Sequence, residues 1–176
     1  MKLRPIEERD LESLKEWRNA DFEHLRTPFK LNSLMQCKWF KDIVSSRDSK
    51  FRFYAIDIQE NGEADKLIGY GALEISWENR YAELGILIGT KWQRKGLGVK
   101  VVKELINTAF KWMNLDSVHI ECYKNSPALL FWYKLAARWG CKLVEIPLRK
   151  YANGEYWDSI YFVITRDIFK KITTDK

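Results

Sequence analysis

Cysteine, histidine and long apolar runs are scarce in this chain, and their scarcity removes several classes of explanation. Cys37, Cys122 and Cys141 are odd in number and form no CxxC pair, so they read as reduced and mostly packed thiols. His24 and His119 are far apart and in no ligand spacing, so no catalytic metal is expected. The longest nearly apolar run, Ala128 to Ala137, is broken by Lys134 and falls well short of the roughly 20 residues that a membrane span needs. Met1 to Asp10 is charged and has no apolar segment of the secretory type, which points to a cytoplasmic chain. No glycine, serine or proline bias suggests a collagen-like or disordered class.

The 176 residues and 21.0 kDa suit one domain with a real core, spanning 1–176. Thirty Lys and Arg stand against 24 Asp and Glu, giving a net charge of +6 and a pI near 9.1. Such a balance favours an anionic partner without naming it: nucleic acid, a membrane surface or a phosphate-bearing ligand. No basic helix or RNA-binding motif singles out nucleic acid.

The hydrophobic pattern orders the chain. A strand at Lys2 to Ile6 leads to Asp10, a helix-cap candidate, and Leu11, Leu14, Trp17 and Ala20 follow at helical spacing. Asn32 is placed to cap a second helix with a stripe of Leu34, Met35, Trp39, Phe40, Ile43 and Val44. Period two then takes over: a strand from Phe51 that is apolar on both faces, an Asn61-Gly62 hairpin signal, and strands at Lys66 to Trp77 and Tyr81 to Ile88. Gly85, inside the last of these, suggests a bulge or a close backbone approach. A helix from Gly98 presents Val101, Val102, Leu105, Ile106, Ala109 and Trp112; after it come a strand (Ser117 to Tyr123), a helix (Ser126 to Trp139) and two strands (Cys141 to Leu148, Tyr156 to Thr165). This order predicts a mixed α/β sheet with helices on its faces.

The richest segment is Gln93-Arg94-Lys95-Gly96-Leu97-Gly98, between an apolar strand and a long amphipathic helix. Two glycines let successive amides turn into one concavity, and the helix adds the positive end of its dipole, which together make a phosphate nest. Arg94 and Lys95 add mobile charge suited to a pyrophosphate. A dinucleotide fingerprint would need glycine where Val101 stands, and a P-loop would need a Gly-Lys-Ser/Thr ending; neither is present. A plain strand-to-helix turn is the simpler alternative. Asn125, at the exit of the following strand, either caps the next helix or offers its amide to a ligand.

Q-x-x-G-x-G after an apolar strand, with an Asn-led aromatic helix after the next strand, resembles the GCN5-related N-acetyltransferase (GNAT) family. Leu3-Arg4-Pro5, Asp10-Leu11, Trp17-Arg18-Asn19 and Asn153-Gly154-Glu155-Tyr156-Trp157-Asp158 are similar to the branch holding ribosomal-protein N-terminal, spermidine and sugar-amine acetyltransferases. The resemblance implies a mostly antiparallel twisted sheet of about seven strands with helices on both faces. It also implies acetyl-CoA as cosubstrate and a small-molecule or peptide amine as acceptor, with no metal, nucleic acid or membrane partner; a homodimer is a compatible assembly. The cofactor phosphates would rest on Gln93, Arg94, Lys95, Gly96, Leu97 and Gly98, its pantetheine arm on the backbone of Ile86, Leu87 and Ile88, with Asn125 as a further contact.

The chemistry implied is direct attack of an amine on the thioester, which needs a base for the amine and an acid for the departing thiolate. Glu83 matches the base, with Glu121 in reserve, and a surface carboxylate is the alternative reading. For the acid the sequence departs from the family pattern: the usual tyrosine position is Trp132, and Tyr133 lies one residue on, about 100° around a helix. Tyr133 is therefore either the acid or a core residue. Trp17, Phe22, Arg26 and Phe29 are candidates for an acceptor pocket by analogy. Asp10, Glu12, Glu16, Asp21 and Glu23 would favour a cationic amine if they faced it. A noncatalytic acyl-CoA-binding or regulatory module, which keeps the loop and has lost the acid, is the competing function.

Overall fold

Alternating side chains along seven strands build one twisted sheet with apolar residues on both faces. The structure is a computed structural model and describes residues 1–59 and 65–174; the Asn61-Gly62 turn lies outside the described residues. The strands are β1 (Lys2–Pro5), β2 (Phe51–Ile58), β3 (Lys66–Ser76), β4 (Tyr81–Ile88), β5 (Ser117–Tyr123), β6 (Leu143–Ala152) and β7 (Glu155–Thr165), and they lie in the order β1-β2-β3-β4-β5-β7-β6. Every pairing is antiparallel except β4 with β5. A parallel pair needs a crossover connection, and α3 (Leu97–Asn107) supplies it.

On one side of the sheet, α3, α4 (Leu129–Trp139) and α5 (Arg166–Thr174) bury Val102, Leu105, Trp132, Leu135, Phe169 and Ile172 against Ile56, Leu73, Leu84 and Ile120. On the other side, α1 (Leu11–Ala20) packs Leu11 and Leu14 against Ala55, Tyr70 and Leu87. The strand apolar on both faces is covered on both: Ala55, Ile56, Asp57 and Ile58 are all buried. The ladder register shifts between Ile56 and Asp57, where β3 gains a residue and Ile68 returns to the α3 side. At Gly85 the register runs unbroken against Ala72, so the expected bulge is not there.

Several sequence expectations shift for local reasons. After α3, a π-helical turn at Thr108–Trp112 carries Phe110 into the core, and Trp112 is left 85% exposed. In α2 (Ser33–Trp39), capped by Asn32 as expected, Leu34 and Met35 are exposed and Gln36 is buried; Trp39, Phe40 and Val44 do the packing. The strand β6 begins and ends later than its apolar run, with an irregularity between Ile146 and Lys150. The helix α5 follows β7 directly, and its signal, Ile168, Phe169 and Ile172 in a charged tail, is faint in the sequence.

Asp10 does not cap α1. Its carboxylate receives Arg4 Nη1 at 2.7 Å and Nη2 at 2.9 Å, and the Glu7 amide at 2.8 Å. Arg4 Nε also donates to Asp57 at 2.5 Å. One guanidinium thus serves two buried carboxylates and ties β1, β2 and the entry to α1 together. Burial alone would raise the Asp10 carboxyl, but the hydrogen bonds from Arg4 and the Glu7 amide outweigh it and hold the group below its ordinary value. Because the folded value is depressed, the stability it contributes is present above the ordinary carboxyl range near pH 4 and is lost as pH falls through the folded value. Arg4→Met should cost about 3–5 kcal/mol in denaturant unfolding, since it strands two buried carboxylates. The cost should shrink on acidification, and an equal cost at pH 7 and pH 3 would argue against the ion pair as its origin.

Candidate active site

The site begins where β4 and β5 part. They are paired only from Tyr81 to Glu83 against Ser117 to His119, whereas β5 stays on β7 as far as Tyr123. Beyond Glu83 the facing edge of β4 has no strand partner among the described residues, and the wedge is bounded by the loop before α3 and by the start of α4.

A cavity of about 490 Å³ occupies the wedge, lined by Ile86, Leu87 and Ile88 of β4, by Gln93, Arg94, Gly96, Leu97 and Gly98 of the loop, and by Ser126, Pro127, Ala128 and Phe131. The loop has two left-handed residues, Arg94 at φ 59° and Gly96 at φ 74°. For glycine this is free; for arginine it costs on the order of 1 kcal/mol, and both residues line the cavity. No side chain caps α3, and among the described residues the amides of Lys95 to Gly98 have no bonded acceptor. This is the donor set that an anionic phosphate requires. Gln93 does something different: its Nε2 donates to the Ile88 carbonyl at 2.8 Å and holds the loop to the end of β4. Lys95 stands outside the lining, 4.8 Å above the Trp92 ring. Trp17 forms the opposite wall and presses on Gly89, where an added Cβ would meet its indole at 2.7 Å.

A second cavity of about 280 Å³ adjoins the first, and Asp21, Ile86, Leu87, Ser126 and Ala128 line both. Its floor is the β3–β4 surface at Tyr70, Ala72, Glu74, Glu83 and Gly85, and its wall includes Glu121, Cys122, Tyr123 and Trp132. Arg26 Nη2 bridges the Glu83 carboxylate and, at 3.0 Å, that of Glu121. Glu121 also takes Arg149 Nε at 2.6 Å and the Ser159 hydroxyl at 2.7 Å. Burial acts to raise the Glu121 carboxyl, but those hydrogen bonds and the Arg149 and Arg26 charges hold it below the ordinary range. Glu121 is thus a fixed anion, while Glu83 has Arg26 as its cationic partner and a more open position, with 31% of its side chain exposed against 6% for Glu121.

The structure gathers Glu83, Ile86, Leu87, Ile88, Gln93, Arg94, Gly96, Leu97 and Gly98 around the two cavities and leaves out Asn125 and Tyr133. Asn125 neither caps α4 nor lines a cavity; its Nδ2 donates to Glu155 at 3.1 Å, and α4 starts at Leu129. Tyr133 is partly buried against the core, because α4 runs as a regular α-helix from Leu129 to Trp139 and no distortion turns Tyr133 into the place that Trp132 takes. Two phenols line the second cavity, Tyr70 of β3 and Tyr123, neither of them singled out by the sequence; Tyr123 ends β5, two residues before Asn125. Burial raises its pKa against the lowering charge of Arg26, so it holds its proton firmly. Cys122 and Cys141 are buried and pushed up to about 11 by that burial, as inert thiols should be, whereas Cys37 is exposed. Of the pocket candidates taken by analogy, Trp17 and Arg26 line the cavities, and Phe22 and Phe29 do not.

At Gly85, an added Cβ would meet nothing within 4 Å, and the residue lines the second cavity. Gly85→Val should leave the melting temperature within a few degrees of wild type, since β4 tolerates a β-branched residue. The side chain should fill the floor, so that CoA still raises the melting temperature and amine ligands no longer do. A large loss of stability would contradict the open space above Gly85.

Comparisons with known proteins fit this geometry. The acetyltransferase (GNAT) domain profile matches residues 1–129. Spermidine N-acetyltransferase from Vibrio cholerae, solved with CoA and spermine, superposes with a TM-score of 0.80 over 96% of this chain and 97% of that one, at 20% identity. Another structure of that organism's enzyme, with manganese ions, gives 0.74 over 99% and 96% at 21% identity. The L-amino acid N-acetyltransferase AaaT of Escherichia coli (strain K12) is 26% identical over 101 residues, which cover 54% of this chain and 59% of that protein. The sheet, the parted strands and the matched residues together show that the chain belongs to the GNAT acetyltransferase family.

Proposed function

We propose that the protein transfers an acetyl group from acetyl-CoA to a primary amine, with the cofactor along the first cavity and the amine in the second. The observation that carries this reading is the shared wall: Ile86 and Leu87 border both cavities, so a thioester lying on the β4 edge would reach the acceptor there. Both the relative named for L-amino acids and the neighbours named for spermidine act on amines, which supports the reaction class.

The fit to the cofactor rests on this chain's own groups. The amides of Lys95 to Gly98 and the Arg94 charge suit the phosphates, and the free edge of β4 suits an amide-bearing arm. Acetyl-CoA would supply the activated acetyl group and depart as a thiol. A backbone amide at Ile86 to Ile88 would polarise the thioester carbonyl. An N–C bond forms as the C–S bond breaks, and the ammonium gives up two protons in all. Glu83 takes one, directly or through water, and passes it to solvent. The other ends on sulfur, and Tyr123, whose burial keeps its phenol protonated, is the donor we assign. A regular α4 favours Tyr123 over Tyr133 for this role.

A thiol-release assay across amines tests the proposal. Glu83→Gln should lower kcat by about 10²-fold or more. Tyr123→Phe should lower it as well and remove an alkaline limb, since the phenol works protonated and its activity fades as pH rises through a value above its ordinary one near 10. Tyr133→Phe should stay close to wild type; a loss there equal to that of Tyr123→Phe would return the acid role to α4. Trp132 in the usual tyrosine position favours one competing reading, a noncatalytic acyl-CoA-binding module. Thermal stabilisation by acetyl-CoA with no thiol release on any amine would establish that alternative.

A further inference from the structure

Resting on the acceptor position just proposed, we infer that the second cavity holds an oxyanion subsite built from Arg18, Thr27 and Tyr70, and that the acceptor is an amine carrying a carboxylate. Arg18 Nη1 donates to the Tyr70 hydroxyl at 3.0 Å and Nη2 to the Thr27 hydroxyl at 3.0 Å, and all three residues line the cavity. Each hydroxyl oxygen already accepts from Arg18, so its own proton is the group left to give. Among the described residues neither hydroxyl donates to any acceptor, and the Arg18 Nε is buried without a partner. A guanidinium is donor-only, so the two hydroxyl protons beside it are left without an acceptor among the described residues. An anion with several acceptor oxygens would receive both and meet the Arg18 charge with the opposite sign.

The charge balance around the cavity points the same way. Three of the four acidic side chains that line it have a cationic partner: Glu74 has Lys50, Glu83 has Arg26, and Glu121 has Arg149 and Arg26; Asp21 has the His24 ring as its hydrogen-bond partner. Arg18 has only neutral partners. Of the acidic N-terminal residues, Asp21 lines the cavity, whereas Asp10 is spent on Arg4, Glu12 pairs with Lys15, and Glu16 and Glu23 are exposed. Arg18 is thus the lining cation whose partners are all neutral, while three of the four lining carboxylates are already engaged by cations. The register fixes the subsite near the reaction: Tyr70 stands opposite Leu87 in the β3–β4 ladder, and Leu87 borders both cavities. The carboxylate therefore lies close to the amine, as it does in an amino acid.

Calorimetric titration of the CoA-saturated protein with matched ligands tests the subsite: amino acids with aromatic and aliphatic side chains, the corresponding amino-acid amides, and spermidine. The carboxylate member of each productive pair should bind at least about tenfold more tightly than its amide. Arg18→Gln should abolish that preference without changing amide or CoA binding, and Arg18→Lys should restore part of it. If Arg18→Gln melts early, the milder Tyr70→Phe and Thr27→Val should each reduce the preference by several-fold. Equal binding of acid and amide, tighter binding of spermidine, or no binding of any amino acid would overturn the subsite. Thiol release run in parallel separates the two claims. A carboxylate preference without release keeps the subsite and removes the transferase reading; release without preference does the reverse.

Discussion

Strands β4 and β5 share hydrogen bonds over three residue pairs and then separate, and nearly all of the chemistry in this molecule depends on that separation. Both strands remain fully paired on their outer sides, β4 with β3 and β5 with β7, so the sheet keeps its integrity while two inner edges are left open. A continuous parallel ladder would satisfy these backbone groups and close the wedge. The crossover through α3 holds the wedge from one side, and its first turn brings unbonded amides to the open end. A gap in the hydrogen-bonding pattern thereby becomes the place where a ligand with amide and phosphate groups can supply the missing partners.

The second cavity follows a different principle. Its carboxylates are held by Lys50 just before β2, Arg149 of β6 and Arg26 of the segment after α1, and Arg26 joins the strands that have parted by bridging Glu83 to Glu121. This bridge replaces, with side chains, the backbone pairing that ends at Glu83. It also separates the two glutamates in character: Glu121 is locked by several donors, and Glu83 remains accessible. The three consecutive residues Trp17, Arg18 and Asn19 divide their work among neighbouring parts: Trp17 walls the first cavity, Arg18 reaches the second, and Asn19 grips both backbone groups of Leu31 at 2.7 and 2.8 Å.

The glycine loop was legible in the sequence because its chemistry is local: two glycines, two cations and a helix start suffice to describe a nest. Strand order and the apolar faces were legible for the same reason, each being written in a period of two or about 3.6. What escaped were features decided by distant residues. Asp10 looks like a cap until Arg4 and Asp57 arrive beside it. Asn125 looks like a cap, yet α4 starts at Leu129 and the Asn125 amide donates to Glu155. Trp112 fits the helical stripe at ideal spacing, but one π-helical turn removes it. Tyr123 carries no local signal, and Arg18 is marked only as part of the Trp17-Arg18-Asn19 motif; it is the folding of β3, β5 and α1 around one cavity that brings the two together.

Lys150 shows how the acceptor cavity is tied to the far end of the fold. From β6 its ammonium reaches the carbonyls of Glu23 and Leu25, the latter at 2.5 Å across 125 residues of sequence. Those carbonyls belong to the segment that carries His24, Arg26 and Thr27 into the cavity wall. A contact of such long sequence separation is favourable only after the intervening chain has been ordered. The wall thus depends on a side chain of the C-terminal hairpin for its position. Loss of the Lys150 ammonium would therefore reach the second cavity through its wall, while the loop before α3 is held separately, by Gln93 on the Ile88 carbonyl.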